Sequence, residues 1–310
     1  MTRHYNVDEY TLTDPKIKIE MDIVQISDIH SDPKNLQMAY NIAKAIGADA
    51  VLITGDLFDS VNDPRNEEIV DIITRESKII KTVIQPGNHD YAKFTVNEKG
   101  KRIEVPAKEN VFFDEFKSNK EIITFTKPFD YAPLNDQIDL YAFNMPIESY
   151  EKDDFSTFDY EGLIKTAQVD EKKYSILMTH YYNTVLKRLL TAKKLPEEVQ
   201  RFLKLIVLIL SGHMHAGCTP PALRNYEEGN HRGILAPYAH IAQKDAYGIV
   251  YNDIYSVLVS GGMTKFATSS EIGKIANFLA NLAVSEIELI HLVPGKEHNM
   301  TFDKIVKLSR

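Results

Sequence analysis

Residues 22–30, DIVQISDIH, place an apolar run directly before an aspartate and a histidine. The arrangement returns at 50–59, AVLITGDLFD, and at 82–90, TVIQPGNHD, and both of these stretches also end in metal-binding residue types. Runs rich in Val, Ile and Leu that end in turn residues are typical of strands buried on both faces of a sheet. Between the runs, apolar residues recur at helical spacing over 33–46 and 65–80. The resulting β-α-β-α-β order predicts a layered α/β fold.

Two later apolar runs end in the same way. Residues 175–179, SILMT, lead into His180, and residues 205–210, LIVLIL, lead into the stretch that holds His213 and His215. In α/β sheets, ligands bind at the carboxyl ends of the strands, because loops from separate strands converge there. We therefore expect the five clusters to meet in one site.

The bulk composition is that of a globular protein with a large core. The chain has 310 residues, of which 44% are hydrophobic and 26% charged. We predict a single domain over 1–310, with further strands, in a second sheet, at 254–261 and 285–292. The stretch 91–120 is charged and loop-rich and directly follows the third cluster, so it is a candidate lid over the site. A solvated surface insertion is the alternative reading of that stretch.

The net charge, the cysteine content and the lengths of the apolar runs limit the partners and the cell compartment that the sequence allows. The net charge of −8 gives no general attraction to nucleic acid, although a local basic groove stays open as an alternative. The single cysteine, Cys218, excludes an internal disulfide. The first twenty residues hold no apolar stretch of secretory length, and the longest apolar run, 205–210, is far below the roughly 20 residues that a spanning helix needs. These features predict a cytoplasmic protein with no integral membrane segment.

The clusters supply seven side chains of the types that bind divalent metals, namely carboxylates, an amide and imidazoles. Asp28 and His30 stand two residues apart at a strand end, so both can face the same ion. Asp56 follows a glycine, and its carboxylate could bridge two ions because it has two oxygens. The full set of ligand candidates is Asp28, His30, Asp56, Asn88, His180, His213 and His215.

One histidine of the third cluster is left without a ligand role. Two ions about 3.5–4 Å apart can hold a hydroxide between them and bind the phosphoryl oxygens of a substrate. His89 then suits a general acid, or a cationic hydrogen-bond donor to the phosphate or leaving oxygen. Asp59 or Asp90 could orient its ring through the other nitrogen. Asp59 could equally be the N-terminal cap of a helix over 60–66.

In this order, the motifs DIH, GDLFD, GNHD, an isolated His and GHMH resemble the signature of the calcineurin-like metallophosphoesterase superfamily. The resemblance implies a four-layer α/β/β/α sandwich of two mixed sheets. It also implies a metal-dependent phosphoric ester hydrolase, with His89 as the catalytic histidine. In matching order, it assigns one ion to Asp28, His30, Asp56 and His215. It assigns the other ion to Asp56, Asn88, His180 and His213.

The expected cofactors are two divalent metal ions, Mn²⁺, Fe²⁺/Fe³⁺ or Zn²⁺, since mixed nitrogen and oxygen ligands accept several of these. The expected partner is a small phosphorylated substrate with a phosphodiester, phosphomonoester or pyrophosphate bond. Residues 5–30 resemble bacterial, membrane-associated members of this superfamily, some of which cleave lipid-linked UDP-sugar pyrophosphates. GDLFDS followed by GNHD also resembles the manganese-dependent DNA exonucleases, against which the acidic net charge weighs. The third alternative is an inactive scaffold of the same fold, although every ligand position and His89 are retained.

Overall fold

The computed structural model describes residues 4–59, 63–91, 94–96, 102–104, 112–144, 162, 164, 170–182, 196–215, 246–253, 255–263 and 285–309. The first strands are β1 (His4–Asp14), β2 (Met21–Ile26), β3 (Ala50–Thr54), β4 (Lys81–Gln85), β5 (Phe94–Val96), β6 (Arg102–Glu104), β7 (Ile122–Thr124) and β8 (Phe129–Pro133). The later strands are β9 (Ile138–Phe143), β10 (Tyr174–Thr179), β11 (Ile206–Ser211), β12 (Gly248–Asn252), β13 (Ser256–Val259), β14 (Ser285–Pro294) and β15 (Asn299–Ser309). The α-helices whose bounds lie in the described part of the chain are α1 (Pro33–Ile46), α2 (Asn66–Glu76), α3 (Phe112–Ser118) and α4 (Glu197–Leu205).

The first sheet has the strand order β15-β1-β14-β2-β3-β4-β7. Strands β2, β3, β4 and β7 run parallel, whereas β14 is antiparallel to β2. The predicted helix over 33–46 is confirmed as α1. Asp32 caps its start by accepting two backbone N–H groups, and Gly47 ends it in the left-handed conformation at φ 72°.

The second sheet has the order β12-β13-β11-β10-β9-β8. Its inner strands β9, β10, β11 and β13 are parallel, and β8 and β12 are antiparallel edges. The prediction that 285–292 belongs to this sheet is wrong. These residues lie in β14 of the first sheet, where β14 pairs with both β1 and β2. Hydrophobic patterning predicts a strand but does not identify its hydrogen-bonding partners. Strand β1, at 4–14, is an element that the sequence analysis did not predict.

The two sheets pack face to face and carry helices on their outer faces. In β3, Leu52 faces the core between the sheets, together with Ile176 of β10. The neighbouring Ile53 faces the opposite way, toward Leu36 of α1. On the far side, Phe202 of α4 packs on the second sheet. Both faces of the inner strands are therefore buried, which explains their unbroken apolar runs. The predicted four-layer α/β/β/α sandwich of two mixed sheets is confirmed.

The candidate lid at 91–120 is described in part. Its last segment, α3, packs into the core against the first sheet, with the rings of Phe113 and Phe116 centred 5.9 and 6.3 Å from the ring of Phe58. Residues 94–96 and 102–104 form the two-stranded hairpin β5-β6. The rest of 92–111 lies outside the described residues, so the lid stays a prediction. Among the helices in the described part of the chain, none is long and apolar enough to cross a membrane.

Candidate metal centre

The turns that follow five strands carry the residues selected from the sequence and bring them together. The residues are Asp28 and His30 after β2, Asp56 and Asp59 after β3, Asn88, His89 and Asp90 after β4, His180 after β10, and His213 and His215 after β11. Their ligand atoms form two triads, each within 4.8 Å: the first of Asp28, His30 and His215, the second of Asp56, His180 and His213. A third group of the same kind joins His30, Asp56 and His89.

One carboxylate oxygen lies between the two triads. Oδ2 of Asp56 is 3.2 Å from Nε2 of His180 in the second triad. The same atom is 3.6 Å from Nε2 of His30 in the first triad. The other oxygen, Oδ1, accepts the backbone N–H of His89 at 2.8 Å. From the sequence, the Asp56 carboxylate could bridge two ions because it has two oxygens; in the structure, the single oxygen Oδ2 faces both triads.

Asp28 is held in a similar way by a distant part of the chain. Its Oδ2 accepts the backbone N–H of His213 at 3.0 Å. Its Oδ1 is 3.4 Å from Nε2 of His215, and the carboxylate is fully buried. In both Asp28 and Asp56, therefore, a backbone amide fixes one oxygen and the other oxygen faces the ligand triads.

The two buried histidines of the second triad have fixed ring orientations. The Nδ1–H of His180 donates to the carbonyl oxygen of Thr54 at 2.8 Å, so its Nε2 faces Asp56. Nδ1 of His213 lies 3.1 Å from that Nε2. The ligand nitrogens of both histidines thus point at the same place beside Asp56.

The electrostatics of the cluster keep the carboxylates of Asp28 and Asp56 ionised. Burial by itself raises the pKa of Asp56, but the neighbouring His180 and His89 hold that pKa well below its usual range. Burial lowers the pKa of His180, yet the charges of Asp56 and Asp28 raise it overall to about 9. For His213, burial and then repulsion from His180 lower the pKa to about 3. Ionised carboxylates and a neutral imidazole are the forms that bind a cation. Asp56 and His213 are already in those forms, whereas His180 has to release a proton when a cation binds.

Buried polar atoms without hydrogen bonds supply a test of whether this centre fits metal ions. Oδ1 of Asp28, Nε2 of His30 and Oδ1 of Asn88 are buried and make no hydrogen bond to the described residues. A buried polar atom left without a partner costs about 1–3 kcal/mol. A cation bound in the centre would satisfy all three atoms, so the donor set fits divalent metal ions.

His89 lies at the rim of the centre beside Asp59. Its side chain is 22% exposed, and its Nδ1 is 3.6 Å from Oδ1 of Asp59 and 3.4 Å from the Asp59 carbonyl oxygen. The same Oδ1 is 3.4 Å from Nδ1 of His30. Of the alternative helix over 60–66, residues 60–62 lie outside the described part of the chain; residues 63–65 are not helical, and α2 begins at Asn66 with Arg65 as its N-cap.

Asp90, the other candidate for orienting His89, is fully buried and has different partners. Its carboxylate accepts the backbone N–H groups of Leu57, Phe58 and Gly87 at 3.2, 2.8 and 2.8 Å. Burial and the charge of Asp56 raise its pKa to about 7. Asp90 therefore ties the turn after β3 to the turn after β4.

Sequence reasoning missed the backbone conformation of the site. Among the non-glycine residues in the described part of the chain, the left-handed region is occupied by Asp28, His30, Ser31, Asp56, His213 and His215, with φ from 44 to 73°. Such conformations cost energy and cluster at functional sites. Gly55 and Gly87 leave room for neighbours: a Cβ at Gly55 would meet the ring of His180, and one at Gly87 would meet Oδ1 of Asp56.

Also missed were polar residues buried beneath the ligands, at Gln25, Ser27, Thr54 and Ser211. A glutamine or serine inside an otherwise apolar strand run is the sequence signal that could have identified them.

A sequence-family model described as calcineurin-like phosphoesterase matches residues 21–217 of the chain. No curated protein sequence matches this chain. Among solved structures, the chain is similar to a protein of Thermus thermophilus, at 12% identity over 80% of this chain and 93% of that chain, with a TM-score of 0.40. It is also similar to an archaeal phosphodiesterase, at 14% identity over 78% and 85% of the two chains, with a TM-score of 0.36. A dimetal phosphatase from Danio rerio shows 10% identity over 66% and 83%, with a TM-score of 0.36. These structural similarities are distant, whereas the family match covers more than half of the chain.

Proposed function

The chain belongs to the calcineurin-like phosphoesterase family, and from this we propose that it is a hydrolase that cleaves phosphate esters at a centre of two divalent metal ions. The observation that carries the proposal is the position of Oδ2 of Asp56, between one ligand triad and the other. A single oxygen with ligand groups on both sides suits two ions that share it.

We assign the ligands in two sets. The first ion would be held by Asp28, His30, Asp56 and His215. The second would be held by Asp56, Asn88, His180 and His213. Both sets mix imidazole nitrogens with oxygens, a combination that accepts Mn²⁺, Fe²⁺/Fe³⁺ or Zn²⁺. When bound, two such ions neutralise the charge of a phosphoryl group and lower the pKa of water, so that water can attack phosphorus near neutral pH.

His89 is the group that we assign to the leaving oxygen. Its Nδ1 faces the carboxylate and carbonyl of Asp59, and we assign Nε2 to hold a proton toward substrate. A protonated Nε2 would donate to the leaving oxygen as the ester bond breaks. Asp59 positions the ring, because its carboxylate lies 3.6 Å from Nδ1. Asp90 serves the backbone of the two turns rather than the ring.

The proposal is tested by metal analysis of the purified protein followed by a substrate panel. We expect two ions per chain. We also expect Mn²⁺-dependent hydrolysis within a panel of aryl phosphomonoesters and phosphodiesters, cyclic nucleotides, nucleotide sugars, pyrophosphates and single-stranded DNA. The panel separates the small-molecule substrates from nucleic acid. A wild-type protein that bound fewer than two ions, or that cleaved nothing in the panel, would contradict the proposal.

A variant of the shared ligand makes the test specific. Asp56→Asn should lower the bound metal below two ions and abolish hydrolysis, because a neutral amide is a poor bridge between two cations. Asp114→Asn is the matched control, since Asp114 is 77% exposed on α3 and pairs with Lys117 of its own helix. The control should keep both ions and the wild-type rate.

A further inference from the structure

A group of buried polar side chains joins the two sheets directly beneath the ligand turns. Nε2 of Gln25, in β2, donates to Oγ1 of Thr54 in β3 at 3.1 Å. It also donates to the carbonyl oxygen of Ser211, in β11 of the second sheet, at 2.9 Å. All three residues are 0% exposed. We call Gln25, Thr54 and Ser211 the cross-sheet bridge.

On the second sheet, hydrogen bonds at Ser211 and the adjacent Gly212 connect the two turns that carry the assigned histidine ligands. Its Oγ donates to the carbonyl oxygen of His180 at 3.2 Å and accepts the backbone N–H of Tyr182 at 2.9 Å. The backbone N–H of the next residue, Gly212, also donates to the His180 carbonyl at 3.1 Å, and His213 follows immediately. A shift of Ser211 would therefore move His180 and His213 together.

On the first sheet, Thr54 makes the hydrogen bonds that correspond to those of Ser211 on the second sheet. Its carbonyl oxygen accepts the Nδ1–H of His180 at 2.8 Å and the hydroxyl of Ser27 at 3.2 Å. Ser27 directly precedes Asp28, and Thr54 is two residues before Asp56. The bridge thus connects the strand ends that carry both carboxylates to the strand ends that carry the buried histidines.

Stability does not explain a glutamine at this position. Gln25 lies in the apolar layer between the sheets, and its Oε1 is buried with no hydrogen-bond partner among the described residues. An apolar side chain of similar size would avoid that desolvation cost. We infer that the Gln25 amide has a function other than stabilising the fold. Its hydrogen bonds to Thr54 and Ser211 indicate that it holds the two sheets at a fixed separation.

We propose that Gln25 is a positioning residue that fixes the distance between the metal ligands of the first sheet and those of the second. The inference rests on the proposed function, because the ligand sets are those assigned above. Hydrogen-bonded groups behind the ligands commonly change metal affinity or activity by about 10–100-fold when they are removed. Gln25 acts one step further back, through Thr54 and Ser211, so we expect an effect of roughly 10-fold.

The chain offers a matched control in a second buried glutamine. Gln85, at the end of β4, is also 0% exposed, and its Nε2 donates across the sheets to the carbonyl oxygen of Phe143 at 2.7 Å. Its Oε1 is likewise without a partner among the described residues. Gln85 precedes the turn of Asn88, but Phe143 ends β9, which carries none of the assigned ligands, so this bond does not join ligands of one sheet to ligands of the other. Gln85→Met therefore removes a cross-sheet bond of the same kind without touching the bridge.

The experiment compares Gln25→Met and Gln85→Met in the full chain. Metal-free protein is titrated with Mn²⁺ by calorimetry, the Mn²⁺-loaded protein is recorded by electron paramagnetic resonance, and unfolding in urea is measured in the presence of a chelator. We expect similar changes in stability for the two variants, because each loses one cross-sheet hydrogen bond and one buried amide oxygen without a partner. Only Gln25→Met should bind Mn²⁺ about 10-fold more weakly and lose the exchange-coupled signal of a close Mn²⁺ pair.

Unchanged Mn²⁺ binding by Gln25→Met, or an equal weakening in Gln85→Met, would overturn the inference. If Gln25→Met does not fold, Gln25→Leu replaces it, because that variant also removes the Nε2 that donates to Thr54 and to Ser211. Wild-type Mn²⁺ affinity in Gln25→Leu would then overturn the inference. A wild-type protein that binds fewer than two Mn²⁺ ions would instead contradict the proposed function itself.

Discussion

Gly55→Ala is expected to destabilise the folded protein by about 2–5 kcal/mol and to weaken metal binding. Gly55 has a φ of +97°, which an L-residue adopts only with strain. A Cβ at this position would meet Nδ1 of His180, lie 2.6 Å from the Cγ of the same ring and lie 2.9 Å from the Cα of Gly87. The ring cannot simply withdraw, because its Nδ1–H donates to the Thr54 carbonyl at 2.8 Å.

The magnitude is the sum of two costs. A left-handed backbone conformation costs a residue with a Cβ roughly 1–2 kcal/mol. Forcing an extra methyl group into a packed interior costs about 1–3 kcal/mol more. The added methyl group would clash with the ring of His180, which is an assigned ligand. The metal affinity should therefore fall along with the stability.

Gly47→Ala separates the two costs. Gly47 has a φ of +72°, and a Cβ there would meet nothing within 4 Å. This control should lose only the backbone part, roughly 1–2 kcal/mol, and should bind Mn²⁺ as the wild type does. The assays are urea unfolding of the metal-free proteins and Mn²⁺ titration by calorimetry. Equal losses of stability in the two variants, or wild-type Mn²⁺ affinity in Gly55→Ala, would refute the steric reasoning.

Two further changes test the catalytic assignment and the buried charge. His89→Ala should keep two bound ions while the rate on an aryl phosphodiester falls ~100-fold or more, because the proton donor to the leaving oxygen is lost. A wild-type rate in that variant would show that the assignment is wrong. Burial, and then the charge of Glu286, raise the pKa of Glu288 from 4.5 to about 8. The folded protein therefore keeps a proton that the unfolded chain releases, and stability should fall with rising pH across that window, by up to about 1.4 kcal/mol per pH unit. Glu288→Gln should flatten this fall in urea unfolding measured from about pH 5 to about pH 9, whereas an unchanged slope would count against a protonated Glu288.

Several elements were predictable because their causes are local. Helix α1 follows from the cap at Asp32, the apolar spacing after Pro33 and the glycine at 47. The strands that lead to the ligand turns are unbroken apolar runs because helices and a second sheet cover their two faces. Strand β1 and the position of β14 were not predictable. Their hydrogen-bonding partners lie far away in the chain, and periodicity carries no information about them.

The order and types of residues in the amino-acid chain determined the chemistry of this protein. Five clusters, each placed after a buried run, must meet at the carboxyl ends of their strands, and their side chains are of the types that bind divalent ions. The tertiary structure decided how those side chains are presented. In the folded protein, one oxygen of Asp56 faces both triads. Asp90 joins two turns through hydrogen bonds, and Gln25 lies beneath the ligands and links the two sheets. These arrangements depend on contacts between residues up to 186 positions apart, and such contacts exist only once the two sheets have packed together.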